Sequence, residues 1–279
     1  MSLTLDISPL DASFGISIGK IDLSRPLTPE LCSALRSLLA QHALIVLQGQ
    51  QISVATHERF AAAFGVPEPH GIVAGLPDSD VIVEIRKETH HRQNFGNAWH
   101  FDLSFRTSPP IAAVLVARET PPEGGDTIWA NQYQALEELP THLVAQIEGK
   151  LALHSDSAAF GGHKDRKEPR AARHPLILSH PQTGRRSLFV NPVSIESIDG
   201  IPQSAARELI DILAAHATQR KFQYRHRWSN GDIVVWDNRA TMHKALNDYD
   251  GFRRVMHRIS VIEDRQSVQI TAEADDLKT

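Results

Sequence analysis

One cysteine, Cys32, stands among 279 residues. That scarcity excludes an intramolecular disulfide and any zinc site built on thiolates, and it fits a reducing compartment. The chain also lacks an uninterrupted apolar run of the roughly 18 residues that a membrane span needs, and its start lacks the basic stretch and apolar run of a secretory signal. A cytoplasmic protein without a membrane partner is the expectation. Charge of one sign is scarce as well: 29 Lys and Arg against 33 Asp and Glu leave −4, with no long block of either sign. Nucleic acid is therefore not an expected partner, and a small molecule is.

What the chain does hold is core and histidine. Hydrophobic residues make up 41% and charged residues 22%, the balance of a globular protein with a sizeable interior. A single domain over 1–279, with its core over about 3–264, is the simplest division. Fifteen histidines invite a search for metal ligands.

Thr28-Pro29 puts a capping hydroxyl before a proline at the first helical position, and Leu31, Leu35, Leu38 and Leu39 then share a face, so a helix begins here. Residues 43–47 read as a buried strand and 53–64 as a second helix, giving a strand, helix, strand, helix opening. From residue 81 the pattern turns to short apolar runs broken by Pro, Gly, Asp and Asn: 81–85, 111–117, 127–130, 151–154, 176–179, 187–190, 222–228, 233–236 and 255–262. Many short strands with turns between them predict a sandwich or barrel. One helix, 202–218, interrupts them, with Leu209, Ile212, Leu213 and His216 assigned to its inner face. The charge-dense stretch 163–174 reads as a solvated loop, with a lid over a site as the functional reading.

Chemistry concentrates in three places. In Trp99-His100-Phe101-Asp102, an imidazole and a carboxylate two residues apart reach the same side of an extended chain. Such a tripeptide is common by chance. A second cluster, Trp236-Asp237-Asn238-Arg239 running to His243, is an apolar strand that enters a polar turn and delivers another histidine. Two histidines and one carboxylate suit Fe(II) with an open face, although zinc would accept the same atoms for hydrolysis. In Arg253-Arg254-Val255-Met256-His257-Arg258, alternation puts Arg254 and Arg258 on one face. Buried guanidinium groups require anions, so two anionic ligands or one dianion are implied, unless Asp248 or Asp250 pairs with them at the surface.

Taken with Gly124-Gly125-Asp126-Thr127, these motifs resemble the TauD/TfdA family of Fe(II)/2-oxoglutarate-dependent dioxygenases, in order and over about 3–264. The resemblance implies a mainly β fold, a distorted double-stranded β-helix or jelly roll with flanking helices. It implies that His100, Asp102 and His243 ligate iron, and that Arg254 and Thr127 hold the distal carboxylate of 2-oxoglutarate. It further implies consumption of O2, with succinate and CO2 as co-products, and a head-group site at Arg258 with His70. Leu103 and Phe160 are expected to border the substrate, where Ser155, Ser157, Ala158 and Ala159 leave room for something larger than taurine.

The expected substrate is a small organic anion, a sulfonate or alkyl sulfate first. Segments 216–220 and 224–228 are similar to the aryloxyacetate branch, which makes a carboxylate the second choice. A zinc hydrolase would not need Arg254 and Thr127, and a non-catalytic jelly-roll binding protein should have lost a ligand. The expected assembly is a homo-oligomer, a dimer or tetramer.

Overall fold

A computed structural model describes residues 5–19, 21–157 and 170–264. The chain opens with a hairpin, β1 (Asp6–Pro9) and β2 (Ile16–Gly19), before helix α1 (Pro29–His42). Thr28 caps α1 by accepting from the Leu31 amide at 3.3 Å, as the Thr-Pro start predicts. Strand β3 (Leu44–Leu47) and helix α2 (Val54–Ala61), capped by Ser53, follow. The opening thus holds the predicted strand, helix, strand, helix order with one additional hairpin strand before α1.

Short strands β4 (Val66–Glu68) and β5 (Val83–Lys87) lead to β6 (Ala112–Glu119). These join β14 (Ile233–Asp237) and the nine-residue β16 (Arg254–Ile262) in one eight-stranded sheet, ordered β1-β2-β3-β14-β6-β16-β4, with β5 also paired to β16. Facing it is a three-stranded sheet, in which β7 (Thr127–Asn131) lies between β13 (Gln223–His226) and β15 (Thr241–Ala245). Strict alternation sorts the large sheet. Ile45, Leu47, Val114, Val116, Ile233 and Val235 point out, under α1 and α2. Leu44, Val46, Leu115, Val234, Trp236 and Met256 point in, toward Trp129 on β7. This is the jelly roll, and the cleft between its two sheets is where the polar residues collect.

A third layer carries β8 (Leu151–Ser155), β9 (Ala171–Pro175) and β12 (Ile195–Ile198) as one sheet, with β10 (Ile177–Ser179) and β11 (Arg186–Leu188) as a hairpin. Helices α3 (Gln132–Glu137), α4 (Thr141–Ile147) and α5 (Gln203–Ala217) pack around it. Two expectations need correction here. The end of the charge-dense stretch is not loop: Ala171–Pro175 pairs with β8 despite its arginine, because the edge position lets Arg173 reach solvent and Asp199. Helix α5 buries Ala206, Leu209, Ile210, Leu213 and Ala217, while Ile212 is 45% exposed, so the inner face is rotated from the one assigned by sequence. Leu209 and Leu213 lie on it as expected, but Ile210 with the small Ala206 and Ala217 completes it, and alanines escape a search for large apolar residues. Among the described residues, no helix is long and apolar enough to cross a membrane.

Candidate metal centre and active site

His243 enters the site from β15. Alternation turns Met242 into the outer core and His243 into the cleft, where it faces Trp129 at 6.5 Å and Trp236 at 4.8 Å between ring centroids. His100 is tied to it backbone to backbone, its amide donating to the His243 carbonyl at 3.0 Å and its carbonyl accepting from the His243 amide at 2.9 Å. Phe101 then points away, into the layer with Phe189, and the chain turns at Asp102. A ligating atom from each of His100, Asp102 and His243 lies within 4.8 Å of the others. Sequence positions far apart thus meet at one point.

The electrostatics favour metal binding. Burial comes first in holding both imidazoles below the usual histidine range, so both are neutral near pH 7 and offer lone pairs. His100 Nδ1 lies 2.8 Å from the Ala98 carbonyl, which keeps the ring proton on Nδ1 and frees Nε2. Burial alone would raise Asp102, but Arg258 first, then His243 and His100, hold it down to about 2. Arg258 donates to Asp102 Oδ1 at 2.7 Å, and Asp102 Oδ2 is buried without a hydrogen-bond partner. A buried carboxylate with one oxygen unpartnered and the other 3.8 and 3.9 Å from the Nε2 atoms of His100 and His243 is a donor set suited to a divalent ion with one face open.

Arg254 and Arg258 do share the inner face of β16 with Met256, and both are buried. The surface alternative fails, because Asp250 faces Lys87 and Asp248 faces Arg225. Arg253, by contrast, points out to Glu88 and Glu119. Arg254 borders a small cavity with Thr127 and His243, and its Nε is buried without a partner. Gly125 makes room for this side chain: its φ is +68°, and an added Cβ would sit 3.1 Å from Arg254 Cδ. A buried guanidinium that touches the Thr127 hydroxyl, has no carboxylate in ion-pair contact among the described residues and leaves its Nε without a partner has donors to spare for an anion, as a dicarboxylate would provide.

A second cavity of about 160 Å³ shares His100 and Arg258 with the first and is also lined by Asp102. His70 and Arg258 line it, together with Leu103, Phe105, Phe95 and Val193. His70 Nδ1 accepts from the Val73 amide at 3.2 Å, so its proton sits on Nε2, available as a donor. Burial and then Arg258 push His70 down to about 4, so it meets an anion as a neutral donor. Leu103 sits at φ +48°, a costly conformation for a branched residue. Phe160, Ala158 and Ala159, together with most of the charge-dense stretch, lie outside the described residues.

One positioning residue escaped the sequence reading altogether. Asn238 sits in the recognised Trp236–Arg239 run, yet its side chain grips the backbone of Asp102 from both ends. Only a contact across 136 positions reveals that role.

With this geometry in place, comparison with known proteins becomes informative. The profile of the taurine catabolism dioxygenase TauD, TfdA family matches residues 6–260. The chain belongs to that family. It is 32% identical to an alkylsulfatase of Acinetobacter baylyi over 92% of this chain and 84% of that protein. To an alpha-ketoglutarate-dependent sulfate ester dioxygenase of Pseudomonas putida it is 29% identical, over 93% and 90%. The solved structure of AAD-2 in complex with Mn(II) and N-oxalylglycine superposes with a TM-score of 0.81 at 28% identity, over 94% of this chain and 99% of that one. The reaction class follows: this is a 2-oxoglutarate-dependent dioxygenase.

Proposed function

We propose that the chain oxidises a small organic anion with an apolar tail, an alkyl sulfate before an alkylsulfonate. The observation that carries this reading is the cavity beside the ligating groups, whose lining combines His70 and Arg258 with the apolar Phe95, Leu103, Phe105 and Val193. A sulfate head has three oxygens for the Arg258 guanidinium and the His70 N–H, and an alkyl tail recovers roughly 25 cal/mol per Å² against the apolar lining. The sulfate ester activity named for two relatives supports the same choice.

His100, Asp102 and His243 would hold Fe(II), and Arg254 with Thr127 would hold the distal carboxylate of 2-oxoglutarate. N-oxalylglycine has the same carboxylate spacing as 2-oxoglutarate, so its presence with Mn(II) in a structural relative supports that division. Iron, 2-oxoglutarate and dioxygen together supply the oxidising equivalent, with succinate and carbon dioxide released. The protein binds, orients and excludes water. Arg258 has two tasks here, keeping Asp102 ionised and meeting the head group beside His70.

Hydroxylation of the carbon bonded to the ester oxygen gives RCH(OH)–O–SO3⁻. As the hydroxyl proton leaves and its C=O forms, the C–O bond to sulfate breaks, yielding an aldehyde and hydrogensulfate. Succinate release measured against straight-chain alkyl sulfates, alkylsulfonates, taurine and aryloxyacetates tests the proposal. Alkyl sulfates should couple best, with equimolar sulfate and aldehyde. Coupling to taurine or an aryloxyacetate alone would overturn the substrate class.

A further inference from the structure

We infer that Trp228 is a positioning residue for the co-substrate: its indole N–H fixes the Thr127 hydroxyl so that the hydroxyl proton points at the distal carboxylate of 2-oxoglutarate. The inference rests on the proposed role of Thr127.

Thr127 Oγ1 is buried and accepts twice, from Trp228 Nε1 at 3.0 Å and from Arg254 Nη2 at 3.4 Å. A hydroxyl oxygen has two lone pairs and one proton. With both lone pairs engaged by donors, the proton is the only polar element left to face the cavity that Thr127 lines with Arg254 and His243. Without the indole, the hydroxyl could rotate and present a lone pair, which would repel a carboxylate. Trp228 does not border that cavity, so its N–H acts through Thr127 rather than on a ligand.

The indole is itself held from behind. The His226 ring meets it edge-on, centroids 4.6 Å apart and planes at 82°. His226 Nε2 lies 3.0 Å from Asp232 Oδ2, and its Nδ1 lies 3.1 Å from the Tyr224 hydroxyl. Asp232 is anchored in turn by the amides of Ser229 and Gly49, at 3.0 and 3.1 Å. A buried acid, an imidazole, an indole and a hydroxyl thus lead in series to the guanidinium of Arg254. Packing alone requires an aromatic ring at 228. It does not require that the ring's one donor end on the oxygen that faces the site.

The test is a double-substitution cycle read by calorimetric binding of N-oxalylglycine to the Mn(II)-loaded full chain. Trp228→Phe keeps the ring and removes the donor, and should weaken binding about fivefold, the worth of one hydrogen bond. In a Thr127→Val background the same change should have no further effect, and in Thr127→Ser it should keep its effect. Trp228→Phe binding like the wild type while Thr127→Val is weakened would overturn the inference alone. So would equal weakening by Trp228→Phe with and without the hydroxyl, since that would be packing. If Thr127→Val binds normally, the role of Thr127 falls and this inference with it. A measurement without substitution covers the case of a misfolded variant. In the Zn(II)-loaded, ¹⁵N-tryptophan-labelled chain, the Trp228 indole proton should shift on adding N-oxalylglycine, and an unmoved resonance would contradict the coupling.

Discussion

Asn238 holds Asp102 by the backbone: its Oδ1 accepts from the Asp102 amide at 2.9 Å and its Nδ2 donates to the Asp102 carbonyl at 3.0 Å. The same Nδ2 also donates to Pro110 at 2.9 Å, so one carboxamide ties the ligand turn to the strand entering the large sheet. The positive φ of the adjoining Leu103 is stable only if its neighbours are fixed this way.

Asn238→Ala should therefore loosen the carboxylate without removing it. Mn(II) affinity should fall by roughly 10–100-fold, as for other residues that orient a ligand, and stability by about 1–3 kcal/mol for the buried groups left unpaired. Metal titration and urea unfolding of the same preparation check both. Unchanged affinity would mean that the turn holds itself.

The two inward arginines should separate in kinetics. Arg254→Ala should raise the KM for 2-oxoglutarate far more than that for the sulfate ester, because a desolvated carboxylate loses its charged partner. Arg258→Ala should raise the KM for the primary substrate and also weaken metal binding, since Arg258 orients the Asp102 carboxylate by donating to its Oδ1 at 2.7 Å. Steady-state kinetics with each substrate varied decide the matter, and the opposite pattern would exchange the roles.

Gly125→Ala should damage the co-substrate side. The new methyl meets Arg254 Cδ at 3.1 Å and Pro121 Cγ at 3.0 Å in a backbone at φ +68°. A loss of about 1–2 kcal/mol in stability is expected, with weaker binding of N-oxalylglycine, and calorimetry measures both.

The legible part of this protein was the part written in side-chain chemistry at fixed spacing. The Arg254/Arg258 alternation was readable because strand geometry puts every second residue on one side, whereas His100, Asp102 and His243 were readable as ligand types at fixed spacing although the chain turns at Asp102. The third layer was harder. Strand β9 hides its pairing under Arg173 and His174, and α5 buries alanines, which carry little periodic signal. Asn238 and Trp228 were unreadable in principle. Their roles consist of single hydrogen bonds to partners 136 and 101 positions away, and no local pattern encodes such a contact.

Acid should destabilise the fold early. Burial pushes His57 and His154 down to about 3 and His70 to about 4, against roughly 6.5 when unfolded. The unfolded chain then binds protons that the native one refuses, so this stability is complete above pH about 6.5 and is lost as pH falls toward the folded values. Each such histidine contributes a slope of about 1.4 kcal/mol per pH unit within that window. Urea unfolding at pH 7.5 and 5.5 reads it, and equal stability at the two pH values would mean that these rings are protonated in the fold.

The most direct test is an anaerobic titration of the full chain with Fe(II) in the presence of 2-oxoglutarate, followed by its visible charge-transfer band. The band should saturate at one Fe(II) per chain and vanish in the Asp102→Ala, His100→Ala and His243→Ala variants. A band that survives Asp102→Ala, or that needs more than one ion per chain, would contradict a single iron held by these three side chains.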